Sequence, residues 1–136
     1  MVIGAGIFLF SSTTGRLLFT RRADSGAWAN FGGTMEDFET TYQCAIREMR
    51  EESGLIHGVD YRIIGTRPIH VKENPSITYY SYVAACDGEP VIKLNDENIE
   101  YGWFEYWSMP RPLHFGVEEV LYSRQIGRYA HKFNGK

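Results

Sequence analysis

The chain has 136 residues, of which 14 are basic and 17 acidic, and its net charge is −3. This length suits one domain with a hydrophobic core, so a single domain over residues 1–136 is expected. A nucleic-acid-binding domain would carry a basic stripe. The acidic balance therefore argues against nucleic acid as the partner.

The two cysteines and the N-terminal segment bear on where the protein works. Cys44 and Cys86 lie far apart and lack metal-site spacing, which favours a reducing cytoplasm over a disulfide framework. Residues 1–10 are apolar, but they have no basic flank and are too few to span a membrane. We expect a cytoplasmic protein that makes no membrane contact.

Apolar runs separated by turn residues predict seven strands. They are Val2–Phe10, Leu17–Arg22, Trp28–Phe31, Tyr61–Val71, Ile77–Ala85, Val91–Leu94 and Tyr101–Trp107. The first two strands form a hairpin, and the fourth and fifth form another, joined by residues 72–76.

Two helices are expected. Thr40 and Gln43 form a capping box, so the first helix begins at Thr40 or Thr41, and Gly54 suits a left-handed C-cap. Helical apolar spacing predicts a second helix within Phe115–Phe133. Strands that enclose one helix and end in another predict an α/β protein with a mixed sheet between helices.

The segment Gly33–Leu55 is the most informative part of the chain. Its fixed polar and glycine positions are Gly33, Glu39, Arg47, Glu48, Glu51, Glu52 and Gly54. Apolar residues at spacings of three and four predict one buried helix face, and Glu48, Glu51 and Glu52 share the opposite face.

Three carboxylates so close together repel one another unless a cation lies among them. Converging oxygen ligands suit Mg²⁺, or Mn²⁺ as an alternative. Arg47, four residues before Glu51, can hold a carboxylate through paired hydrogen bonds. The alternative reading is a solvated acidic helix face, and the glycine pair Gly32-Gly33 before the helix favours the metal site.

With these residues at these spacings, the segment Gly33–Leu55 resembles the Nudix box of the Nudix hydrolases at every defining position. The resemblance implies an α/β/α sandwich, Mg²⁺ dependence and hydrolysis of a nucleoside diphosphate linked to another group. It implies that Glu48, Glu51 and Glu52 bind the metal and that the general base is among their carboxylates. It also implies that the carbonyl oxygen of Gly32 is a further metal ligand. Arg47 resembles the arginine that orients these glutamates, and Glu39 the glutamate that supports them.

The chain departs from the family pattern at two positions of the loop. Phe31 replaces the usual proline before the glycine pair, and Phe38 replaces a common glycine before Glu39. Neither position supplies a ligand, so the departures bear on the shape of the loop.

Further site residues are expected outside the box. The acidic segment at residues 95–100 resembles the region where relatives place an extra carboxylate, which makes Glu97 and Glu100 candidates for a metal ligand or general base. Some relatives have a histidine where this chain has Asn98. Arg21 and Arg22 are candidates for phosphate contact, and Trp28 and Phe31 for stacking on a base.

The substrate is less well defined than the reaction. The short chain favours a small-molecule nucleotide, above all a nucleoside or deoxynucleoside triphosphate. Nucleotide sugars, ADP-ribose and dinucleoside polyphosphates stay open, and residues 72–76 and 110–115 would decide among them. A catalytically silent nucleotide-binding module and an RNA-end pyrophosphohydrolase are alternatives. Because dimers are common in the family, a homodimer is one expected assembly.

Overall fold

The structure is a computed structural model that describes residues 2–74 and 77–135, with the backbone alone for residues 66, 67 and 70–74. Its strands are β1 (Val2–Ser11), β2 (Leu17–Arg22), β3 (Trp28–Ala29), β4 (Phe31–Thr34), β5 (Arg62–Asn74), β6 (Ile77–Cys86) and β7 (Asn98–Phe104). Its helices are α1 (Thr41–Ser53), α2 (Phe115–Leu121) and α3 (Arg124–Phe133). The turn predicted at Pro75 and Ser76 lies outside the described residues.

One mixed sheet contains the seven described strands, in the order β3-β2-β1-β6-β5, with β4 paired to β1 and β7 paired to β2. β1 and β6 are parallel, from Val2 beside Ile77 to Ser11 beside Cys86. The remaining pairs are antiparallel. The α/β class and the mixed sheet predicted from the sequence are confirmed.

The central strand β1 separates two hydrophobic cores, because successive side chains of a strand point to opposite faces. Ala5, Ile7 and Leu9 pack in the core that contains the apolar face of α1. Phe8 and Phe10 pack in the core that contains α2 and α3. The sheet therefore lies between α1 and the C-terminal helices, as an α/β/α sandwich.

Helix α1 begins and ends where its caps predict. The backbone N–H of Gln43 donates to Thr40 Oγ1 over 3.1 Å, and the N–H of Thr40 donates to Gln43 Oε1 over 2.9 Å. Gly54 closes the helix with a φ of 80°, the left-handed conformation that glycine adopts without strain. The capping box and the glycine C-cap are confirmed.

The strand predictions differ from the structure at three places. The strand predicted at Trp28–Phe31 is divided at Asn30 into β3 and β4. Residues 91–94 form no strand, and their apolar spacing reflects burial, since Ile92 and Leu94 pack on the α1 core while the N–H of Lys93 donates to the Ser53 carbonyl. The last strand begins at Asn98 and ends at Phe104, three residues before the predicted end at Trp107. The aromatic run thus extends past the sheet.

The predicted C-terminal helix is divided into α2 and α3. Ser123 accepts a hydrogen bond from the N–H of Ile126 and donates one to the carbonyl of Val120 over 2.6 Å, so it caps α3 and ends α2. Both segments keep their predicted apolar faces buried, including Val117, Leu121 and Ile126.

Candidate active site

Three carboxylates converge at one end of the sheet. Glu48, Glu52 and Glu97 each offer an oxygen atom, and these atoms all lie within 4.8 Å of one another. Glu48 and Glu52 are one turn apart on α1, and Glu97 lies just before β7. We refer to these three residues as the carboxylate cluster.

Glu52 is the buried member of the cluster, with 2% of its surface exposed. The backbone N–H of Gly32 donates to its Oε1 over 3.1 Å, and the amide of Asn98 donates to its Oε2 over 3.4 Å. Burial, reinforced by the nearby carboxylates of Glu48 and Glu97, raises the pKa of Glu52 to about 8. The helix periodicity placed Glu52 on the outward face, but the structure places it against the sheet.

Glu48 is a partly buried member of the cluster. Burial raises the pKa of its carboxyl, and Arg47 partly opposes that rise. Its carboxylate lies against Gly33, where a side chain would overlap its oxygen atoms. The second glycine of the pair therefore leaves the room that Glu48 occupies.

Arg47 holds the loop before α1 and the helix together. Its guanidinium donates to Glu39 over 2.6 and 3.0 Å and to the carbonyl of Thr34 over 3.1 Å. Hydrogen bonding to Arg47 lowers the pKa of Glu39, and hydrogen bonding to Glu39 raises the pKa of Arg47. Glu39 also accepts the N–H of Glu36, which closes the loop.

The remaining predicted carboxylates lie apart from the cluster. Glu51 accepts hydrogen bonds from Arg47 over 3.2 and 3.3 Å and is largely exposed. Glu100 pairs with Arg21 over 3.1 Å on neighbouring strands. The structure brings Glu97 rather than Glu51 or Glu100 to Glu48 and Glu52.

An open cleft of about 520 Å³ lies over the carboxylate cluster. Besides the cluster, its lining includes Gly32, Gly33, Arg22, Arg47 and Glu51. A narrower pocket of about 130 Å³ adjoins it, because Arg22, Gly32 and Tyr79 line both. We call this second cavity the inner pocket.

The four predicted substrate-binding side chains occupy different places. Arg22 lines the cleft and the inner pocket, and its guanidinium donates twice to Asp24 over 3.1 Å. The guanidinium of Arg21 donates to the carbonyl of Gly26 and to the side-chain carboxylate of Glu100, each over 3.1 Å. Trp28 packs edge-on against Phe104 with 5.2 Å between ring centroids, and Phe31 is buried in the α1 core.

The donor set of the carboxylate cluster fits a hard divalent cation. Glu48, Glu52 and Glu97 are oxygen donors of one charge sign, and Arg47 donates to one oxygen of Glu48 over 3.2 Å. Burial raises the pKa of Glu48 and Glu52, which shows that two negative charges are costly there without a counter-charge. A cation would supply that charge.

Sequence reasoning did not identify three polar residues at the site. Asn98 contacts Glu52, while Asn30 and Ser81 line the inner pocket. One signal was available for Ser81, which interrupts the otherwise large side chains of β6 on the face that carries Tyr79 and Val83. The contact of Asn98 depends on how β7 lies against α1, which no local pattern encodes.

Within residues 2–74 and 77–135, none of the helices combines the length and apolar character needed to cross a membrane.

Comparison with known proteins places this site in context. The family model described as NUDIX domain matches residues 2–123. No curated protein sequence matches the chain.

Several solved structures share the fold. A Nudix hydrolase of M. smegmatis, RenU, has a TM-score of 0.76 and 24% identity, over 95% of this chain and 84% of that one. An Ap4A hydrolase of C. elegans, solved as a binary complex, has a TM-score of 0.72 and 16% identity, over 97% and 96% of the two chains. An ADP-ribose pyrophosphatase of Streptococcus suis has a TM-score of 0.69 and 20% identity, over 96% and 90%.

Proposed function

Because the chain belongs to the NUDIX domain family and is a Nudix-type hydrolase acting on pyrophosphate bonds, we propose that it is a Mg²⁺-dependent pyrophosphohydrolase of small nucleotides. The proposed substrate is a nucleoside or deoxynucleoside triphosphate. The observation that carries the proposal is the carboxylate cluster, which faces an open cleft beside the narrower inner pocket.

The metal would be held by Glu48, Glu52 and Glu97, and Glu51 and Gly32 line the same cleft. When bound, Mg²⁺ neutralises phosphate charge and lowers the pKa of a bound water. Mn²⁺ would serve in the same donor set.

The protein's own groups position the reactants. Arg47 fixes Glu48 and Glu51 through its N–H groups, and the Gly32 N–H and Asn98 amide fix the two oxygens of Glu52. A carboxylate of the cluster takes the proton of the attacking water, and the water adds to phosphorus as a phosphate group leaves. Arg22 lines the cleft and would contact phosphate oxygens there, and such positioning contributes much of the rate.

Two observations support a nucleotide as substrate. The cleft over the cluster is open and polar, as a polyphosphate requires, and the adjoining inner pocket is walled by both apolar and polar side chains, as a base requires. Two of the proteins of similar fold are named as an Ap4A hydrolase and an ADP-ribose pyrophosphatase. Dinucleoside polyphosphates, ADP-ribose and nucleotide sugars are accordingly the alternative substrates.

Two further functions are less well supported. A catalytically silent binding module has little reason to keep Glu48, Glu51 and Glu52 together with Arg47. An RNA-end pyrophosphohydrolase would need a basic groove, and the chain has a net charge of −3. A homodimer and a cytoplasmic location remain proposals drawn from the family and the composition.

The test is phosphate and pyrophosphate release from a panel of triphosphates, ADP-ribose, nucleotide sugars and dinucleoside polyphosphates, with Mg²⁺ or EDTA. We expect Mg²⁺-dependent turnover of at least one triphosphate. Glu52→Gln should lower kcat by several orders of magnitude, since a charged group that acts on the reacting atoms is lost. The matched control is Glu119→Gln, which changes an exposed glutamate of α2.

Near-wild-type turnover by folded Glu52→Gln would overturn the role of the cluster. A folded protein that binds Mg²⁺ but hydrolyses nothing in the panel would instead favour the binding module.

A further inference from the structure

The inner pocket is bounded on three sides by parts of the protein core. Phe8 of β1 and Val120 of α2 form apolar walls, and both are almost completely buried, at 1% and 3% exposure. Ser81 of β6 and His114, which precedes α2, supply polar groups. The pocket opens towards the carboxylate cluster through Arg22 and Gly32.

The size of the inner pocket limits what it can hold. Its volume is about 130 Å³. A protein cavity of about 150 Å³ with apolar walls takes up one benzene ring. The inner pocket therefore has room for a single six-membered ring. The second ring of a purine would either stay outside the pocket, in the open cleft, or displace buried side chains such as Phe8 or Val120. Such overpacking is costly in a close-packed core.

The lining of the inner pocket favours a heteroaromatic ring over a sugar. Phe8, Val117 and Val120 offer apolar contact to the faces of a flat ring. A hexose would bury several hydroxyl groups against these walls, and each hydroxyl without a partner is costly. The polar side chains of the lining, which include Arg22, Asn30 and His114, can bond the edge of a flat ring, whereas a hexose carries hydroxyl groups all round its ring and would turn some of them towards the apolar walls.

Asn30 adds a hydrogen-bonding group at the pocket. Its Nδ2 donates to the carbonyls of Ile7 and Phe31, each over 3.3 Å. Within the described residues, these bonds use the nitrogen and leave Oδ1 as an acceptor. Nucleobases carry N–H donors that match it, so Asn30 favours a base over an apolar ring, and the size of the pocket decides between pyrimidine and purine.

We propose that the inner pocket selects a pyrimidine base, so that this protein prefers pyrimidine nucleotides to purine nucleotides. The inference rests on the proposed function only in that it places the scissile phosphates at the carboxylate cluster, which the pocket adjoins.

The first experiment measures kcat/KM with Mg²⁺ for CTP, UTP and dTTP against ATP and GTP. We expect the pyrimidine substrates to be favoured by at least about tenfold, the lower end of what one extra group in a tight pocket is worth. In parallel, calorimetry without metal measures binding of CMP and UMP against AMP and GMP, with the same direction expected.

A variant tests the wall directly. Val120→Ala widens the pocket, so the preference should fall by several fold, mainly through improved purine turnover and binding. The matched control is Val83→Ala, which removes the same two carbons from the same core without lining the pocket and should keep the wild-type ratio. Melting temperatures of both variants show that they are folded.

The outcomes separate the two proposals. Turnover of purines equal to that of pyrimidines, or equal binding of AMP and CMP, overturns the inference and leaves the proposed function intact. Selective binding of CMP and UMP without hydrolysis of any triphosphate supports the inference and overturns the proposed function. Folded Val120→Ala with an unchanged ratio also overturns the inference.

Discussion

Gly33 lies against the carboxylate of Glu48 so closely that a methyl group at position 33 would overlap both oxygen atoms. Gly33→Ala should therefore move Glu48 away from Glu52 and Glu97. A displacement on the order of 1 Å at a catalytic group costs about 100-fold in rate, so we expect a loss of kcat of at least that size. The measurement is steady-state hydrolysis of the best substrate with saturating Mg²⁺.

Gly127→Ala is the control for this change. Within the part of the chain that the structure describes, its added methyl group would meet only the Tyr106 hydroxyl, at an ordinary contact distance, and Gly127 lies inside α3. We expect unchanged turnover and a gain of about 0.5–1 kcal/mol in the free energy of unfolding, because alanine is the better helix former. Full activity in Gly33→Ala would show that Glu48 needs no fixed position.

The helix at the site was predictable because its signals are local. The hydrogen bonds that begin α1 join Thr40 to Gln43, three residues away, and Gly54 ends the helix by its own conformation. The sequence predicts these features without knowledge of the rest of the chain. The same holds for the continuous apolar run at the start of the chain, which predicts the strand β1.

The composition of the carboxylate cluster was not predictable in the same way. Periodicity treats Glu48, Glu51 and Glu52 as one outward face, but Glu52 meets the N–H of Gly32 and Glu51 meets Arg47. Glu97 completes the cluster because the turn before β7 lies beside α1, a contact between residues 45 or more positions apart. Such contacts depend on the whole sheet, which single-chain patterns do not encode.

Arg47→Lys tests whether the loop and helix depend on a planar, many-donor side chain. Lysine keeps the charge but cannot bond Glu39 twice while reaching Thr34 and Glu48. We expect the free energy of unfolding to fall by about 1–3 kcal/mol. The rate should fall by at least about tenfold as the glutamates lose their orientation.

Urea unfolding and steady-state kinetics measure the two effects. Arg50→Lys, an exposed change on the same helix, serves as the control and should alter the free energy of unfolding by less than about 0.5 kcal/mol. Equal effects of the two substitutions would contradict a special role for Arg47.

Phe38 adopts a left-handed backbone conformation, with a φ of 65°, and its side chain is fully exposed. This is the loop position at which the family commonly has glycine. The conformation costs an ordinary residue about 1–2 kcal/mol, and asparagine tolerates it better. Phe38→Asn should therefore raise the free energy of unfolding by about 0.5–1 kcal/mol.

Phe38→Leu separates the backbone effect from the loss of an exposed aromatic ring. Leucine carries the same steric penalty at this φ, so it should give no gain in stability. A comparable gain from leucine in urea unfolding would refute the explanation by backbone strain.

Glu52 makes the stability of the metal-free protein depend on pH. The pKa of Glu52 is raised to about 8 in the folded state, whereas an unfolded glutamate has a pKa of about 4.3. Between these values the folded state binds more protons than the unfolded state. The stability from Glu52 is complete below pH about 4.3 and is lost as the pH rises through about 8, at up to about 1.4 kcal/mol per pH unit.

Urea unfolding in EDTA at pH 6, 7 and 8 measures this slope. Glu52→Gln should remove most of it, because glutamine does not titrate, so the variant should gain on the wild type as the pH rises. Profiles that stay parallel over this range would contradict a raised pKa for Glu52.

Glu97 and Glu100 are three residues apart, and the sequence makes both of them candidates for a metal ligand or general base. Their surroundings in the structure differ. Glu97 belongs to the carboxylate cluster, whereas Glu100 forms an exposed ion pair with Arg21. Glu97→Gln should weaken Mg²⁺ binding and lower kcat by at least about tenfold, since a charged oxygen ligand is lost.

Glu100→Gln is the control. It should change the free energy of unfolding by no more than about 1 kcal/mol, the usual contribution of an exposed ion pair, and leave kcat within about twofold. Mg²⁺ titration of activity measures both variants side by side. The reverse order of effects would mean that the turn before β7 presents Glu100, not Glu97, to the metal and substrate.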